Sequence, residues 1–168
     1  MTDRPTISFT YDAAVAAGEG LIKTATVTRR GNGENTWTLV SDEPRVIGGG
    51  NTAPPPVAFL TASVGFCLLT HLVQHTRMLR MTVDGHRVEV TASWHQTGSV
   101  LRGDVRGHCD GIDVVIEIDS AESEDRIHKL VTTSVQGCFV IQTLRTPVSV
   151  SASVNGAPPA PVGLGEPE

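Results

Sequence analysis

A chain of 168 residues is long enough to bury one hydrophobic core without disulfide or metal staples, so the sequence predicts a single domain. The formal net charge of −5 and an aromatic content of 4% argue against a phosphate-binding surface and a stacking platform for bases, so nucleic acid is not expected as a partner. Three widely spaced cysteines and no charged, apolar leader favour reduced thiols in a cytoplasmic protein over a secreted disulfide scaffold.

The N-terminal part of the chain predicts an antiparallel ribbon. Residues 21–28 and 37–40 are rich in β-branched residues or alternate in polarity, and turn-forming residues lie between them, as in a β-hairpin. A further strand is expected at residues 6–11. Residues 42–56 then contain three consecutive glycines and three consecutive prolines, which predict a loop that ends where a helix can begin.

Residues 57–81 predict a long central helix. Apolar residues recur there at spacings of three and four, with apolar neighbours on nearly every side. The apolar run at residues 59–73 is interrupted by polar side chains and is shorter than the roughly 20 residues that a bilayer span needs. The sequence therefore predicts a buried core helix and no membrane association.

The second half of the chain predicts three strands, at residues 87–96, 100–106 and 112–118. His108 and Cys109 lie between Gly107 and the pair Asp110-Gly111, which predicts a hairpin turn there. In that position Cys109 is interpreted as an exposed thiol without a function.

Two helices and a strand are expected to follow. The first helix begins at Asp119 or Ser120 and runs to about residue 135, a second begins at Cys138 and reaches about residue 145, and a final strand covers residues 147–154. This order predicts an α+β fold in one domain at residues 1–155. Residues 156–168 are rich in proline and glycine and predict a disordered tail.

Two cysteines lie in apolar surroundings, Cys67 within the long helix and Cys138 at a helix start, where a thiolate is favoured. Cys67, His71 and His75 are spaced by four residues and lie along one helical stripe. Three interpretations of the histidines stay open: core or interface residues, a reactive Cys67–His71 dyad, or a metal site that a partner chain would have to complete.

A loop rich in glycine and proline leads into the first of these cysteines. It contains Asp-Glu-Pro at residues 42–44, Gly-Gly-Gly-Asn-Thr-Ala-Pro at residues 48–54 and Phe-Leu-Thr-Ala-Ser at residues 59–63, followed by Cys67 and, much later, by Cys138. In this pattern the chain resembles the OsmC/Ohr family of hydroperoxide-resistance proteins.

The resemblance implies an intertwined homodimer in which two long central helices are wrapped by antiparallel β-sheets from both chains. It implies that Cys67 attacks an organic hydroperoxide and becomes a sulfenic acid, and that Cys138 then forms a disulfide with it. A dithiol reductant, either a lipoylated protein or a small thiol, would restore both thiols, with no cofactor or metal. An apolar pocket beside Cys67 would be lined by Phe59, Leu60 and Phe66.

Two positions depart from the family pattern. Peroxidase members carry a glutamate just after the proline that opens the central helix, whereas this chain has Val57 and Ala58 there. The later cysteine is commonly followed by proline, but here by Phe139. The family's arginine could be Arg29 or Arg30, and Arg30 is the expected one. These departures leave two alternatives to a peroxidase: an enzyme or apolar small-molecule binder that uses Cys67 and His71, and a structural or partner-binding dimer.

Overall fold

The structure of the protein is a computed structural model that describes residues 6–31, 35–146, 148–155 and 160–161. The chain divides into two compact units, Met1–Ala62 and Ser63–Glu168. Both units contain antiparallel sheets. Along the chain, one long helix comes between the first two sheets, and two more helices follow the second sheet. The predicted α+β class is therefore confirmed.

The first unit contains a three-stranded antiparallel sheet, with strands β1 (Thr10–Ala17), β2 (Lys23–Arg30) and β3 (Thr36–Ser41) in the order β1-β2-β3. The predicted hairpin is confirmed as β2 and β3, although residues 32–34 of its connection lie outside the described part. The strand expected at residues 6–11 was placed too early. β1 leads into a turn closed by a 2.8 Å bond from the Gly18 N–H to the Ile22 carbonyl, and pairing with β2 draws several alanines into the strand despite their low strand propensity.

Successive side chains of this sheet alternate between a polar face and an apolar face. Thr24, Thr26 and Thr28 lie on the polar face of β2. The opposite face carries the apolar side chains of all three strands: Tyr11, Val15, Val27, Trp37 and Leu39.

The loop between β3 and the long helix is organised around the buried carboxylate of Asp42. Its oxygens accept hydrogen bonds from the Glu43 N–H (2.8 Å), the Thr52 N–H (2.9 Å) and the Thr52 hydroxyl (2.8 Å). Backbone hydrogen bonds from Thr52 and Glu43 lower the pKa of Asp42 to about 2. Gly49 packs so closely on the Glu43 carbonyl that no Cβ would fit, so the glycine run serves this turn.

The long helix α1 (Pro56–Met78) begins one residue before the predicted start and ends before the predicted Met81. It ends early because Arg80 takes a left-handed conformation (φ 51°), and the Arg126 guanidinium donates a 3.1 Å bond to the free Leu79 carbonyl. Its buried residues form a single stripe: Val64, Leu68, Leu72 and Thr76. Within the described residues α1 is the one helix long and apolar enough to cross a bilayer, a property that core helices of soluble proteins share.

In the second unit, β4 (Gly85–Thr97) and β5 (Arg106–Asp119) form a long antiparallel hairpin, and the strands predicted at residues 87–96 and 112–118 lie within them. The strand predicted at residues 100–106 was wrong. Val100–Arg102 form a 3-10 turn, because the connection closes through Gly98 and Gly103, which have positive φ values of 78° and 74°.

The turn predicted around His108 and Cys109 was also wrong, because both residues lie within β5 opposite His95 and Trp94. The Asp110-Gly111 pair that suggested a turn instead marks a β-bulge, where the register shifts between Ser93 and Trp94. Cys109 is exposed, as predicted.

Two helices follow, α2 (Glu124–Gly137) and α3 (Phe139–Arg145). α2 begins after Ser123 rather than at Asp119 or Ser120, because β5 continues to Asp119 and the Ser120 hydroxyl bonds the Thr82 carbonyl at 2.6 Å.

The predicted final strand shrinks to β6 (Ser151–Ala152), which pairs with β7 (Ala160–Pro161). β7 lies in the stretch predicted to be a disordered tail, and the rest of residues 156–168 lies outside the described residues.

Candidate functional site

The structure brings Cys67 and Cys138 together in the second unit. Cys67 is half-buried on α1, and Cys138 is fully buried in the short turn between α2 and α3. Both are free thiols, and both pack into one hydrophobic cluster with Leu68, Leu72 and Leu130. Two residues far apart in sequence therefore share one apolar environment.

Cys138 is held in place by the break between two helices. Its extended conformation (φ −72°, ψ 108°) ends α2 and begins α3. Its N–H bonds the Val135 carbonyl at 3.3 Å, and its carbonyl accepts a 2.9 Å bond from the Gln142 N–H. The Gln142 side chain donates a further 2.9 Å bond to the Val135 carbonyl, which ties α3 to the end of α2. These bonds fix the backbone on both sides of Cys138.

Burial raises the pKa of the Cys138 thiol, because the thiolate loses its hydration in the apolar cluster. The N–H groups of Ile141 and Val140 at the start of α3 act against this rise, while the Cys67 side chain interacts with Cys138 and adds to it. Cys138 is therefore a protonated thiol at neutral pH.

His71 and His75 lie on α1 one and two turns after Cys67, with ring centroids 5.5 Å apart. His75 Nδ1 lies 3.1 Å from the hydroxyl oxygen of Ser134, a buried residue of α2. The His71 ring lies 5.7 Å from that of Phe139, the first residue of α3. The two rings thus face the end of α2 and the start of α3.

The His71 ring is partly buried, and desolvation together with the nearby His75 lowers its pKa below the ordinary value of 6.5. Within the described part of the chain, His71 Nδ1 is buried and has no hydrogen-bond partner. The described residues of one chain contain no group of three or more His, Cys, Asp or Glu side chains that could hold a metal ion.

Arg29 and Arg30 point to opposite faces of the sheet in the first unit. The Arg30 guanidinium forms an exposed, two-pronged ion pair with Asp12 on the polar face, one bond of which measures 2.6 Å. Arg29 lies opposite Tyr11 in the register and therefore on the apolar face. Arg30 thus already binds a carboxylate, and the role of either arginine at a catalytic site stays a prediction.

The three residues expected to line a substrate pocket all lie on α1. Phe59 and Leu60 are half-buried in its first two turns. Phe66, next to Cys67, is 73% exposed. Their role as a pocket stays a prediction.

The sequence reasoning missed Ser134 and Gly137, which face the histidines from α2. A Cβ at Gly137 would lie 3.4 Å from His71 Nδ1 and 3.3 Å from His75 Cε1, so glycine permits this close approach. The available signal was a pair of small residues one helical turn apart, directly before Cys138.

A protein-family model described as OsmC-like protein matches residues 48–153, a stretch that begins in the glycine run and ends after α3. The chain belongs to the OsmC-like family. No curated protein matches it.

Solved structures of OsmC-like proteins share the fold. An OsmC-like hydroperoxide resistance protein from Jannaschia sp. CCS1 is 22% identical, with a TM-score of 0.55 over 90% of this chain and 95% of its own. An organic hydroperoxide resistance protein from Elizabethkingia anophelis is 14% identical, with a TM-score of 0.56 over 84% and 91%. One from Legionella pneumophila is also 14% identical, with a TM-score of 0.53 over 84% and 92%. At these identities the likeness establishes the fold alone.

This OsmC-like chain begins its long helix without a carboxylate. The first turn of α1 contains no acidic residue, and Val57 and Ala58 occupy the positions where peroxidase members of the family are expected to carry glutamate. Any activation of Cys67 therefore uses other groups.

Proposed function

We propose that this OsmC-like protein is a thiol-dependent peroxidase that reduces organic hydroperoxides through Cys67 and Cys138. The observation that carries the proposal is the interaction of two free thiols within one buried apolar cluster. The names of its structural relatives as hydroperoxide resistance proteins support the same reaction class.

In the first step, the Cys67 thiolate attacks the terminal oxygen of the hydroperoxide. The O–O bond breaks, Cys67 becomes a sulfenic acid, and the alkoxide leaving group takes up a proton to become an alcohol. Cys67 suits this role better than Cys138 because it is half-buried, whereas Cys138 is fully buried.

In the second step, the Cys138 sulfur attacks the Cys67 sulfur. A disulfide forms, and the sulfenic hydroxyl departs with the Cys138 proton as water. A dithiol such as a lipoylated protein or a small thiol then exchanges with the disulfide, becomes oxidised itself and returns both cysteines to thiols.

The surroundings of Cys67 favour an apolar hydroperoxide. Phe66 is exposed next to Cys67, while Phe59 and Leu60 belong to the same helix.

The exposed apolar face of the three-stranded sheet supports a homodimer, because single chains rarely leave such a face in water. This face includes Tyr11, Val15, Trp37 and Leu39. The cytoplasm, where thiols stay reduced, fits a catalyst with free cysteines.

The test is peptide-mapping mass spectrometry after one equivalent of cumene hydroperoxide, in a Cys109→Ser background that removes the exposed thiol. Consumption of cumene hydroperoxide and of hydrogen peroxide is measured in parallel with dihydrolipoamide as reductant. We expect a Cys67–Cys138 disulfide and faster consumption of the organic peroxide. Slow oxidation of both peroxides, with no such disulfide, would contradict the proposal.

A second candidate is a non-peroxidase enzyme or apolar small-molecule binder that uses Cys67 and His71. Two observations favour it: the first turn of α1 has no acidic residue, and the buried His71 Nδ1 has no hydrogen-bond partner among the residues that the structure describes. Iodoacetamide distinguishes the two forms of this candidate. Labelling of Cys67 that stays slow even at high pH indicates a binder, whereas rapid labelling near neutral pH indicates an enzyme.

A further inference from the structure

The histidine pair of α1 lies against the segment that carries the second cysteine. A Cβ built on Gly137 would lie 3.4 Å from His71 Nδ1, and the ring centroids of His71 and Phe139 are 5.7 Å apart. Gly137 and Phe139 are the two chain neighbours of Cys138. Cys67 precedes His71 by one turn of the same helix. His71 therefore lies on the helix that carries one cysteine and beside the two chain neighbours of the other.

We propose that His71 is the base that removes the proton from Cys138 when Cys138 attacks the Cys67 sulfur. The inference rests on the proposed function in that it concerns the second step of the same reaction.

The chemical need for a base follows from the position of Cys138. A thiol is a poor nucleophile until it loses its proton, and burial in the apolar cluster raises the pKa of Cys138. Without an acceptor inside the cluster, attack would depend on the rare molecules that ionise spontaneously. A positioned base typically accelerates such a step by about 100-fold to 10,000-fold.

His71 has the properties of such an acceptor. Its Nδ1 is buried and has no hydrogen-bond partner among the described residues, so one ring nitrogen is available for a proton. Its pKa is lowered by desolvation and by His75, which keeps the ring neutral near pH 7 and ready to accept.

His75 and Ser134 hold the arrangement in place. The contact of His75 Nδ1 with the Ser134 hydroxyl fixes the second ring against α2, and the second ring in turn limits how His71 can rotate. Gly137 and Phe139, which lie beside the His71 ring, carry no titratable group. Cys67 and Cys138 belong to one hydrophobic cluster, and His75 is a positioning residue.

The proton balance closes within the site. His71 takes the Cys138 proton as the sulfur–sulfur bond forms, and the resulting imidazolium gives it to the departing hydroxide, which leaves as water. His71 returns to its neutral form, and no external oxidant is required beyond the peroxide already consumed.

The step can be tested without peroxide. One equivalent of methyl methanethiosulfonate converts Cys67 to a methyl disulfide, and attack by Cys138 then forms the Cys67–Cys138 disulfide and releases methanethiol. Intact mass spectrometry follows loss of the methylthio group across a pH series, in the Cys109→Ser background. The variants are His71→Asn and, as a matched control on the exposed side of α2, His128→Asn.

We expect His71→Asn to slow methanethiol release at least about tenfold at pH 7. Above pH 9 the difference in rate from the parent protein should shrink, because hydroxide ionises Cys138 directly. His128→Asn should match the parent protein. Equal release rates in His71→Asn and the parent would overturn the inference, and so would a reduction in rate that persists unchanged at high pH.

If His71→Asn does not fold, the parent protein still decides the question. A release rate whose midpoint along the pH series lies below the ordinary histidine pKa of 6.5 supports a histidine base, whereas a rate that rises only with the raised pKa of Cys138 overturns it. Because the assay uses no peroxide, a chain that shows His71-dependent release but consumes no hydroperoxide would refute the peroxidase and leave the base intact.

Discussion

Gly137 at the end of α2 lies directly against the His71 ring of α1: a Cβ at position 137 would come 3.4 Å from His71 Nδ1. The same Cβ would come 3.3 Å from His75 Cε1, so one added methyl group would press on both rings. The next residue in the chain is the buried Cys138. Packing between the two helices and placement of the second thiol are therefore coupled through one glycine.

Gly137→Ala tests this coupling. An alanine gains up to about 1 kcal/mol of helix propensity, less at a helix end, whereas overpacking a close contact costs about 1–3 kcal/mol. We expect a net loss of stability in urea unfolding and slower disulfide formation. Gln136→Ala, at an exposed neighbouring position, is the control and should change neither. A Gly137→Ala protein that is more stable than the parent would mean that the histidines move aside freely.

The three cysteines are expected to respond differently to serine substitution. Cys67→Ser should abolish hydroperoxide turnover, because it removes the nucleophile. Cys138→Ser should retain the first oxidation but allow Cys67 to proceed to sulfinic acid, since nothing captures the sulfenic acid. Cys109→Ser should leave turnover within about twofold, because this thiol is exposed on β5. Steady-state peroxide consumption and mass spectrometry of Cys67 check all three, and undiminished turnover by Cys67→Ser would contradict the mechanism.

Asp42 should make the stability of the protein depend on pH in the acidic range. Its pKa is about 2 in the folded protein, below the ordinary 3.8, so its ionised form stabilises the fold. That contribution is complete above about pH 5, begins to fall near pH 3.8 and is lost as the pH approaches 2. We expect Asp42→Asn to lower the urea midpoint at pH 7 and to flatten its fall between pH 5 and pH 2.

Asp84→Asn is the control for Asp42, because it removes an exposed carboxylate. It should leave the midpoint at pH 7 nearly unchanged. An Asp42→Asn protein with the acid dependence of the parent would show that the loop does not rely on the Asp42 charge.

Alanine substitution can distinguish the roles of Arg29 and Arg30. Arg29→Ala is expected to slow oxidation of Cys67 by at least about tenfold if the family's arginine stabilises the developing charge. Arg30→Ala should change the rate little, since its guanidinium is engaged with Asp12 on the polar face of the sheet. Sulfenic acid trapping with dimedone under single-turnover conditions measures both rates. The reverse order of effects would support Arg30 as the site arginine.

Local patterns predicted most of the fold, and they failed where a local signal had two structural meanings. The helical stripe of α1 and the hairpin of β2 and β3 were identified because their periodicity is set by burial along one element. Asp110-Gly111 suggested a turn but forms a bulge, since the turn chemistry that closes this hairpin belongs to Gly98 and Gly103. Turn and bulge use the same residues, and only the pairing partner distinguishes them.

The sequence by itself determined the α+β class, the resemblance to OsmC-like proteins and the identity of the two candidate thiols. These depend on residue types and spacings that any reader of the chain can see. The tertiary structure decided that Cys67 and Cys138 share one core, that Arg30 is engaged by Asp12, and that Ser134 and Gly137 face the histidines. Contacts between elements distant in sequence depend on how whole faces pack, and no local pattern specifies that packing.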